Sequence, residues 1–437
     1  MYTYNPDKTG VDTRQLIANI TSTLKFWTEF VHKEYFKRNS KVKPIHIFEF
    51  MLRMAEYRSQ SAKSILNKMY MEHEQKYNVD ISKIRVVSST MNEARDKIDI
   101  NIWQLIFDDI SLFIQSQLKE RRYFAIDGSS MKTQHSKELV NKLGYKCGSY
   151  LPHVFTSLLY DIDYGFPVHA IISENTNERL AAIQHMDYIK KGDVVVLDRG
   201  YYSKELFKAF TDNGIHVIFR MKSNTSKDEW KSTEQDISGA KDGIDCRFVK
   251  YTVDDTDYMM LTSLMDKSID CHDFIKTIYH KRWNIETSFR YIKEQFSFAN
   301  FHARTFRHLT EEFFAGYVLF MMSRILEYHT INCSSYEVYG DVFRRNVIIN
   351  KNPQGKHDLR INLKKCMFFI DAIVTSIDFD MQLQMDSLVK YIISDLIPII
   401  DSRKFPRTSR QAQNHWTKTN RDKLKKHVRS TEINSGM

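Results

Sequence analysis

The chain has 437 residues, of which 42% are hydrophobic and 13% aromatic, and only 14 Gly and 7 Pro interrupt it. That composition excludes a disordered or low-complexity protein and provides for two or three domains with sizeable cores. The formal net charge of +10 fits either a polyanionic partner or a solvated basic surface.

From Asp12 to about Leu118 the apolar residues recur at helical spacing, as in Leu16, Ile20, Leu24, Trp27 and Phe30, and again in Ile45, Phe48, Met51, Leu52 and Ala55. Thr90 followed by Glu93 has capping-box spacing and predicts a helix carrying Arg95 and Lys97, which suits the second helix of a helix-turn-helix as well as any small bundle. At Arg121 the period shifts toward two. Tyr123 to Ile126 reads as a strand ending at Asp127-Gly128, and Val154 to Tyr160 with Pro167 to Ile172 as a hairpin. Glu178 to Lys190 reads as a helix, Asp193 to Leu197 as a buried strand ending at Asp198, Ser203 to Thr211 as a helix and Ile215 to Met221 as a strand. The order β-β-β-α-β-α-β is that of a ribonuclease H-like domain, a mixed sheet with helices on both faces.

Residues 223–270 are polar, with strand-like stretches at Arg247 to Val253 and Tyr258 to Leu264, and predict a small β-rich insertion. Helices resume at Phe274 and continue to about Ile400, with a connection around 350–357. The longest uncharged apolar run, Phe313 to Met322, is about half of a bilayer span, and the first ten residues lack the apolar stretch of a signal peptide, so no membrane association is expected. Five cysteines without a CxxC pair predict free thiols in a cytoplasm-like compartment. Residues 401–437 hold ten Lys/Arg, among them Arg403, Lys404, Arg407 and Arg410, against three acids. This tail fits a contact to DNA backbone or a solvated extension.

Asp127 and Asp198 each fall at a predicted strand end, where α/β sheets usually meet ligands, although Asp-Gly and Asp-Arg-Gly are also ordinary turn chemistry. On the helix from Phe274, the residues Tyr279, Arg282, Glu286, Arg290 and Lys293 are spaced to lie within roughly an 80° arc. An apolar stripe of Ile278, Ile285, Phe289, Ile292 and Phe296 lies roughly 90° away and would dock the helix on the sheet. A solvated face with i,i+4 ion pairs would account for Glu286 between Arg282 and Arg290, but not for the flanking Tyr279 and Trp283. Phosphodiester cleavage offers a use for the set: two hard divalent cations about 3.5–4 Å apart need carboxylate oxygens on rigid elements. Arginine and lysine would hold phosphates, and Trp283 could stack on a base displaced from the duplex.

The run YHKRWNIETSFRYIK, with Tyr279-x2-Arg282-x3-Glu286-x6-Lys293, resembles the YREK signature of DDE transposases of the insertion-sequence four group. AIDGSSMK around Asp127 and VVVLDRGYYS around Asp198 are similar to that family's first and second acidic motifs. The resemblance spans roughly Arg121 to Leu326. It implies Asp127, Asp198 and Glu286 as a catalytic triad binding Mg²⁺, with Mn²⁺ able to substitute. It further implies Tyr279, Arg282 and Lys293 as contacts to the transposon-end phosphates and Trp283 as a stacking residue; Arg290, on the same face, is expected to contact DNA as well. The implied activity is binding of terminal inverted repeats followed by cut-and-paste strand cleavage and transfer on double-stranded DNA, by a homodimer in the cytoplasm or nucleoid, or in the nucleus of a eukaryotic host.

The domain boundaries that follow are a helical DNA-binding region at 1–118, a ribonuclease H-like catalytic domain at 119–222 and 271–326, a β-rich insertion at 223–270, a helical carboxy-terminal region at 327–400 and the basic tail at 401–437. The competing expectations are a host-adapted nuclease or recombinase with the same site, and a non-catalytic DNA-binding derivative. Retention of all three carboxylates argues against the second of these.

Overall fold

The computed structural model describes residues 4–36, 40–118, 122–145, 149–253, 255–294, 300–334, 357, 359–368, 373–374, 377 and 385–399. The basic tail, with Arg403, Lys404, Arg407 and Arg410, lies outside the described residues, as does all but the last residue of the expected connection at 350–357.

Five helices come first: α1 (Thr13–Tyr35), α2 (Pro44–Glu56), α3 (Ala62–Tyr77), α4 (Ser88–Arg95) and α5 (Ile102–Ser116). Asp12 caps α1 by accepting from the backbone N–H of Arg14 and Gln15, and Leu16, Ile20 and Leu24 are buried as their spacing requires. The expected Thr90 cap is not used. α4 opens at Ser88, with Val87 at the cap position and no side-chain cap, so Thr90 already lies inside the helix. Arg95 is buried, not offered to DNA, because two carboxylates of a later helix, Glu311 and Glu312, pair with it there.

The strands β1 (Tyr123–Lys132), β2 (His153–Asp161), β3 (Pro167–Ser173), β4 (Val194–Leu197), β5 (His216–Arg220), β6 (Asp236–Lys241), β7 (Ile244–Val253) and β8 (Thr256–Thr262) form one sheet in the order β3-β2-β1-β4-β5-β8-β7-β6. β1, β4 and β5 are parallel neighbours, and the other pairs are antiparallel. Two expectations change. Asp127 does not end its strand: β2 is long enough to pair with β1 as far as Lys132, so Gly128 sits opposite Ser157 in the ladder and makes no turn. Residues 236–262 are not set apart from the core, because β8 pairs with β5 and the three added strands extend the central sheet. The carboxy-terminal part also departs from an all-helical expectation, since Leu359–Arg360 pairs with Ile397–Pro398.

Short helices α6 (Lys137–Leu143), α7 (Glu178–Gln184), α8 (Lys204–Asp212) and α9 (Lys227–Lys231) connect the strands, and α10 (His272–Lys281), α11 (Trp283–Glu294) and α12 (Phe306–Cys333) follow the sheet. Strand alternation divides the core between two faces. Phe124, Ile126, Val195 and Leu197 pack with Phe207 and Phe210 of α8, whereas Ala125, Val194 and Val196 pack with Ile285 and Ile292 of α11 and the apolar residues of α12.

α12 is buried from Leu309 to Cys333 except at Glu327, the behaviour of a helix apolar on all sides. It packs against α1, α2, α5 and β3. Arg58 donates to the Glu312 carbonyl at 2.8 Å and Arg95 to that of His308 at 2.8 Å, which ties the amino-terminal helices to it. At its far end Asn332 accepts from Asn5 N–H at 2.9 Å and Thr9 Oγ1 at 2.8 Å and donates to the Val11 carbonyl at 3.0 Å. The β2–β3 turn docks on it through Gly165, whose φ of +71° and missing side chain matter because a Cβ there would lie 2.7 Å from Arg324 Nη2. Among the described residues no helix is long and apolar enough to cross a membrane.

Beneath α5, His169 and His185 share a 2.9 Å contact between their Nδ1 atoms, and His185 Nε2 lies 3.0 Å from Ser157 Oγ. Burial holds His169 down to about 4 and, with His169 adding to it, His185 well below the usual imidazole range. The unfolded chain binds these protons near pH 6.5 and the folded one does not, so their contribution to stability is full above pH 6.5 and is lost as pH falls toward 4. Asp161, pushed up by burial from 3.8 to about 7, acts in the opposite sense over nearly the same range. His169→Phe should therefore remove part of the acid lability while leaving the Asp161 contribution in place. Urea unfolding of wild type and variant at pH 7.5 and 4.5 should show a gap that shifts in favour of the variant by on the order of 3 kcal/mol at the lower pH.

Candidate active site

The last pair of the parallel β1–β4 ladder is Ala125 with Val196, and Asp127 and Asp198 each follow that pair by two residues. Both have the parity of Ala125 and Val196, which places them on the sheet face covered by α11. α11 carries Glu286 over that face, docked by the buried Ile285, Phe289 and Ile292. Phe296, the last member of the expected apolar stripe, lies outside the described residues.

The expected single helix from Phe274 is two helical segments that meet at Arg282, where the N–H bonds back to the Tyr279 carbonyl at 3.0 Å, an i→i+3 turn. The spacing argument survives across this joint. Arg282 Nη2 donates to Glu286 Oε1 at 2.6 Å, and Tyr279 Oη donates to Asp198 Oδ1 at 3.3 Å. Tyr279 is 0% exposed and Arg282 4%, so both face the carboxylates and not the solvent. Glu286 (44%) and Trp283 (50%) are accessible. Arg290 and Lys293 lie on α11, with side chains outside the described residues.

Burial pushes Asp127 up to about 6. The Arg282 guanidinium opposes that shift, and the neighbouring Glu286 and Glu178 add to it. Its Oδ1 accepts from the Gly128 N–H at 2.9 Å. Asp198 has Arg220 Nη1 at 3.8 Å, and that guanidinium also lies over the Tyr258 ring at 4.6 Å, so β5 and β8 both contribute to the surroundings of the second aspartate. Burial likewise drives the Tyr279 phenol up to about 12, which keeps it a donor.

Arg220, Tyr201 and Glu178 were not singled out from the sequence. Arg220 reads as the end of a strand, Tyr201 as part of the turn after Asp198 and Glu178 as an ordinary acidic first residue of a helix; none carries a spacing signal. A cavity of about 650 Å³ opens beside the site, with Gly128, Ser129, Ser130, His153, Phe155 and Glu178 in its wall.

The donor chemistry suits a hard divalent cation, since the oxygens come from carboxylates on a strand, a strand end and a helix. The buried Tyr201 hydroxyl, which has no hydrogen-bond partner among the described residues, also fits a site that takes up a hydrated ligand. Among the described residues, however, no three His, Cys, Asp or Glu side chains are grouped as a ready metal site. Glu286 gives Oε1 to Arg282, and no other bond takes its Oε2 among the described residues.

Residues 118–322 match the sequence family described as Transposase DDE domain. A Synechocystis sp. protein named "Putative transposase for insertion sequence element IS4SA" is 22% identical over 219 residues, covering 47% of this chain and 61% of its own length. The chain thus spans less than two thirds of that relative. The cryo-EM structure titled piggyBac transposase synaptic complex with hairpin DNA superposes over 94% of this chain and 91% of its own at 9% identity and a TM-score of 0.41, too loose a similarity to fix the fold.

Arg282 balances carboxylates in a largely buried setting, so Arg282→Met should destabilise the protein by about 1–2 kcal/mol, less than a fully buried pair because Glu286 is accessible. Tyr279→Phe, which removes only one long hydrogen bond, should cost less than about 1 kcal/mol. Chemical denaturation without added metal measures both. Equal losses would mean that Arg282 is not the counter-ion of the cluster.

Proposed function

We propose that this chain is a DNA transposase that binds the terminal inverted repeats of an insertion sequence and cuts and joins strands by divalent-metal chemistry, on a ribonuclease H-like core. The observation that carries this reading is the placement of Asp127 on β1 and of Asp198 directly after its parallel neighbour β4, each two residues past the last shared ladder pair, under a helix that brings Glu286 to the same face. The family match over 118–322 contains all three residues. The element order and the mixed sheet with helices on both faces support the ribonuclease H-like assignment.

In this mechanism Asp127, Asp198 and Glu286 would hold Mg²⁺ or Mn²⁺. The bound ions supply activation of the attacking oxygen and stabilisation of the departing one. Arg282, whose planar fork suits a phosphate, would pair with one near the scissile bond while it holds Glu286 through a single oxygen. Tyr279 holds Asp198 in place from the buried side. Trp283, exposed beside Glu286, offers a stacking face to a base freed from the duplex. Arg290, Lys293 and the tail from Arg403 to Arg429 add backbone contacts, and a second copy of the chain holds the other end of the element.

Asp127→Asn, Asp198→Asn and Glu286→Gln should each abolish Mg²⁺- and Mn²⁺-dependent cleavage of duplexes carrying the element's own ends, while binding to those duplexes persists. Cleavage retained by any one variant would remove that residue from the site. Deleting residues 401–437 should lower affinity for cognate and unrelated duplexes by similar factors. It should also make the slope of log affinity against log salt shallower by about 3–6, at about 0.9 for each phosphate the tail neutralises. An unchanged slope over a salt series would identify the tail as a solvated extension.

A further inference from the structure

Glu178 has no part in the mechanism above, yet it stands where the two aspartate segments meet. Asn177 caps α7 by accepting from the N–H groups of Arg179 and Leu180. Arg179 Nη2 donates to the carbonyls of Gly200 at 3.2 Å and Tyr202 at 3.1 Å, which clamps the first turn of α7 to the segment that follows Asp198. Glu178 is held between the two glycines. Its Oε1 lies 2.9 Å from the place a Cβ of Gly128 would occupy, and its Oε2 lies 3.8 Å from that of Gly200. Only the absence of a side chain at position 128 leaves room for it.

The β1–β4 ladder ends at Ala125 and Val196, and beyond it the strands carrying Asp127 and Asp198 are no longer paired with each other. Gly128 has the opposite parity to Asp127, so Glu178 approaches this gap from the α7 face while the aspartates bear on it from the α11 face. Among the described residues no hydrogen bond or ion pair takes up the Glu178 carboxylate. A second observation points to the same spot. Tyr201 is 2% exposed, its hydroxyl has no hydrogen-bond partner among the described residues, and the charged groups that act on it are Asp127, Glu178, Arg282 and Asp198. A buried hydroxyl in that state is costly unless something bound at the site completes it.

We propose that Glu178 is a fourth carboxylate of the divalent-cation site, entering between the two aspartate segments from the opposite face of the sheet, with Tyr201 placed to hydrogen-bond the cation's hydration shell. The inference rests on the reading of Asp127, Asp198 and Glu286 as cation ligands. It has a physical rationale: two adjacent divalent ions carry more charge than three carboxylates neutralise, and magnesium-like ions keep waters that need acceptors and donors around them. The competing role for Glu178 is purely local, an acid favoured by the first turn of a helix.

Mn²⁺ binding to the full chain, followed by the loss of the free-ion electron paramagnetic resonance signal, separates the two. Glu178→Gln should weaken Mn²⁺ binding by about tenfold or more, with an unchanged thermal midpoint in the absence of metal. Asp127→Asn should weaken it too. Wild-type Mn²⁺ affinity in Glu178→Gln alongside a loss in Asp127→Asn overturns the role of Glu178 and leaves the three-carboxylate reading standing. Wild-type affinity in both variants overturns the cation site as a whole. A lower metal-free midpoint in Glu178→Gln with unchanged Mn²⁺ affinity assigns Glu178 to the helix terminus and also overturns the proposal. Should that variant fail to fold, Glu178→Asp, one methylene shorter, should still bind Mn²⁺ several-fold more weakly, and wild-type affinity there would be equally decisive.

Discussion

The parallel pairing of β1 with β4 is the constraint on which the candidate site depends. A shift of one residue in that ladder would turn one aspartate to the opposite face of the sheet, because strand side chains alternate with period two. The register is held from both sides: Phe124 and Ile126 pack with Val195 and Leu197 on one face, and Ala125 packs with Val194 and Val196 on the other. Apolar burial on two faces thus fixes the position of two charged groups just past the last ladder pair. The polar site is a consequence of the apolar core beneath it.

The second requirement is a counter-charge. Carboxylates brought this close repel one another, and burial makes the ionised form of Asp127 less favourable still. Arg282 answers this from the joint between α10 and α11, within reach of Glu286 on one side and under the influence of Asp198 on the other. Because it sits at the joint and not in mid-helix, it stands between Tyr279 and Glu286 in space as it does in sequence.

Much of this was legible in the sequence where one residue spacing had one structural outcome. The i,i+4 step from Arg282 to Glu286 gave an ion pair, and the apolar run Val194 to Leu197 gave a buried parallel strand. Asp198 followed that strand directly. The errors came where local signals competed with distant partners. Asp127-Gly128 reads as a turn, but β2 supplies a ladder partner for every residue to Lys132, and the strand continues. Arg95 reads as a surface cation until the carboxylates of Glu311 and Glu312, more than two hundred residues away, bury it. The strands of residues 236–262 look like a separate insertion because nothing in their own composition records that β5 leaves an edge for β8 to join. Glu178 and Tyr201 had no signal at all, since their meaning lies in a gap between strands that only the tertiary arrangement creates.

The knot of hydrogen bonds at the end of α12 bears on how the chain can be made. Asn332 joins Asn5, Thr9 and Val11, and α1 and α2 bury their apolar sides on α12. The amino-terminal helices are synthesised first, but the surface that completes them, Phe306–Cys333, emerges roughly 250–320 residues after α1 and α2. At about 5–20 residues per second, that is roughly 15–60 s on the ribosome with apolar helix faces uncovered. Contacts of such long sequence separation also slow folding once the chain is free. The first hundred residues therefore carry uncovered apolar faces through most of translation, and a truncation before Phe306 would leave them without the helix that closes their core.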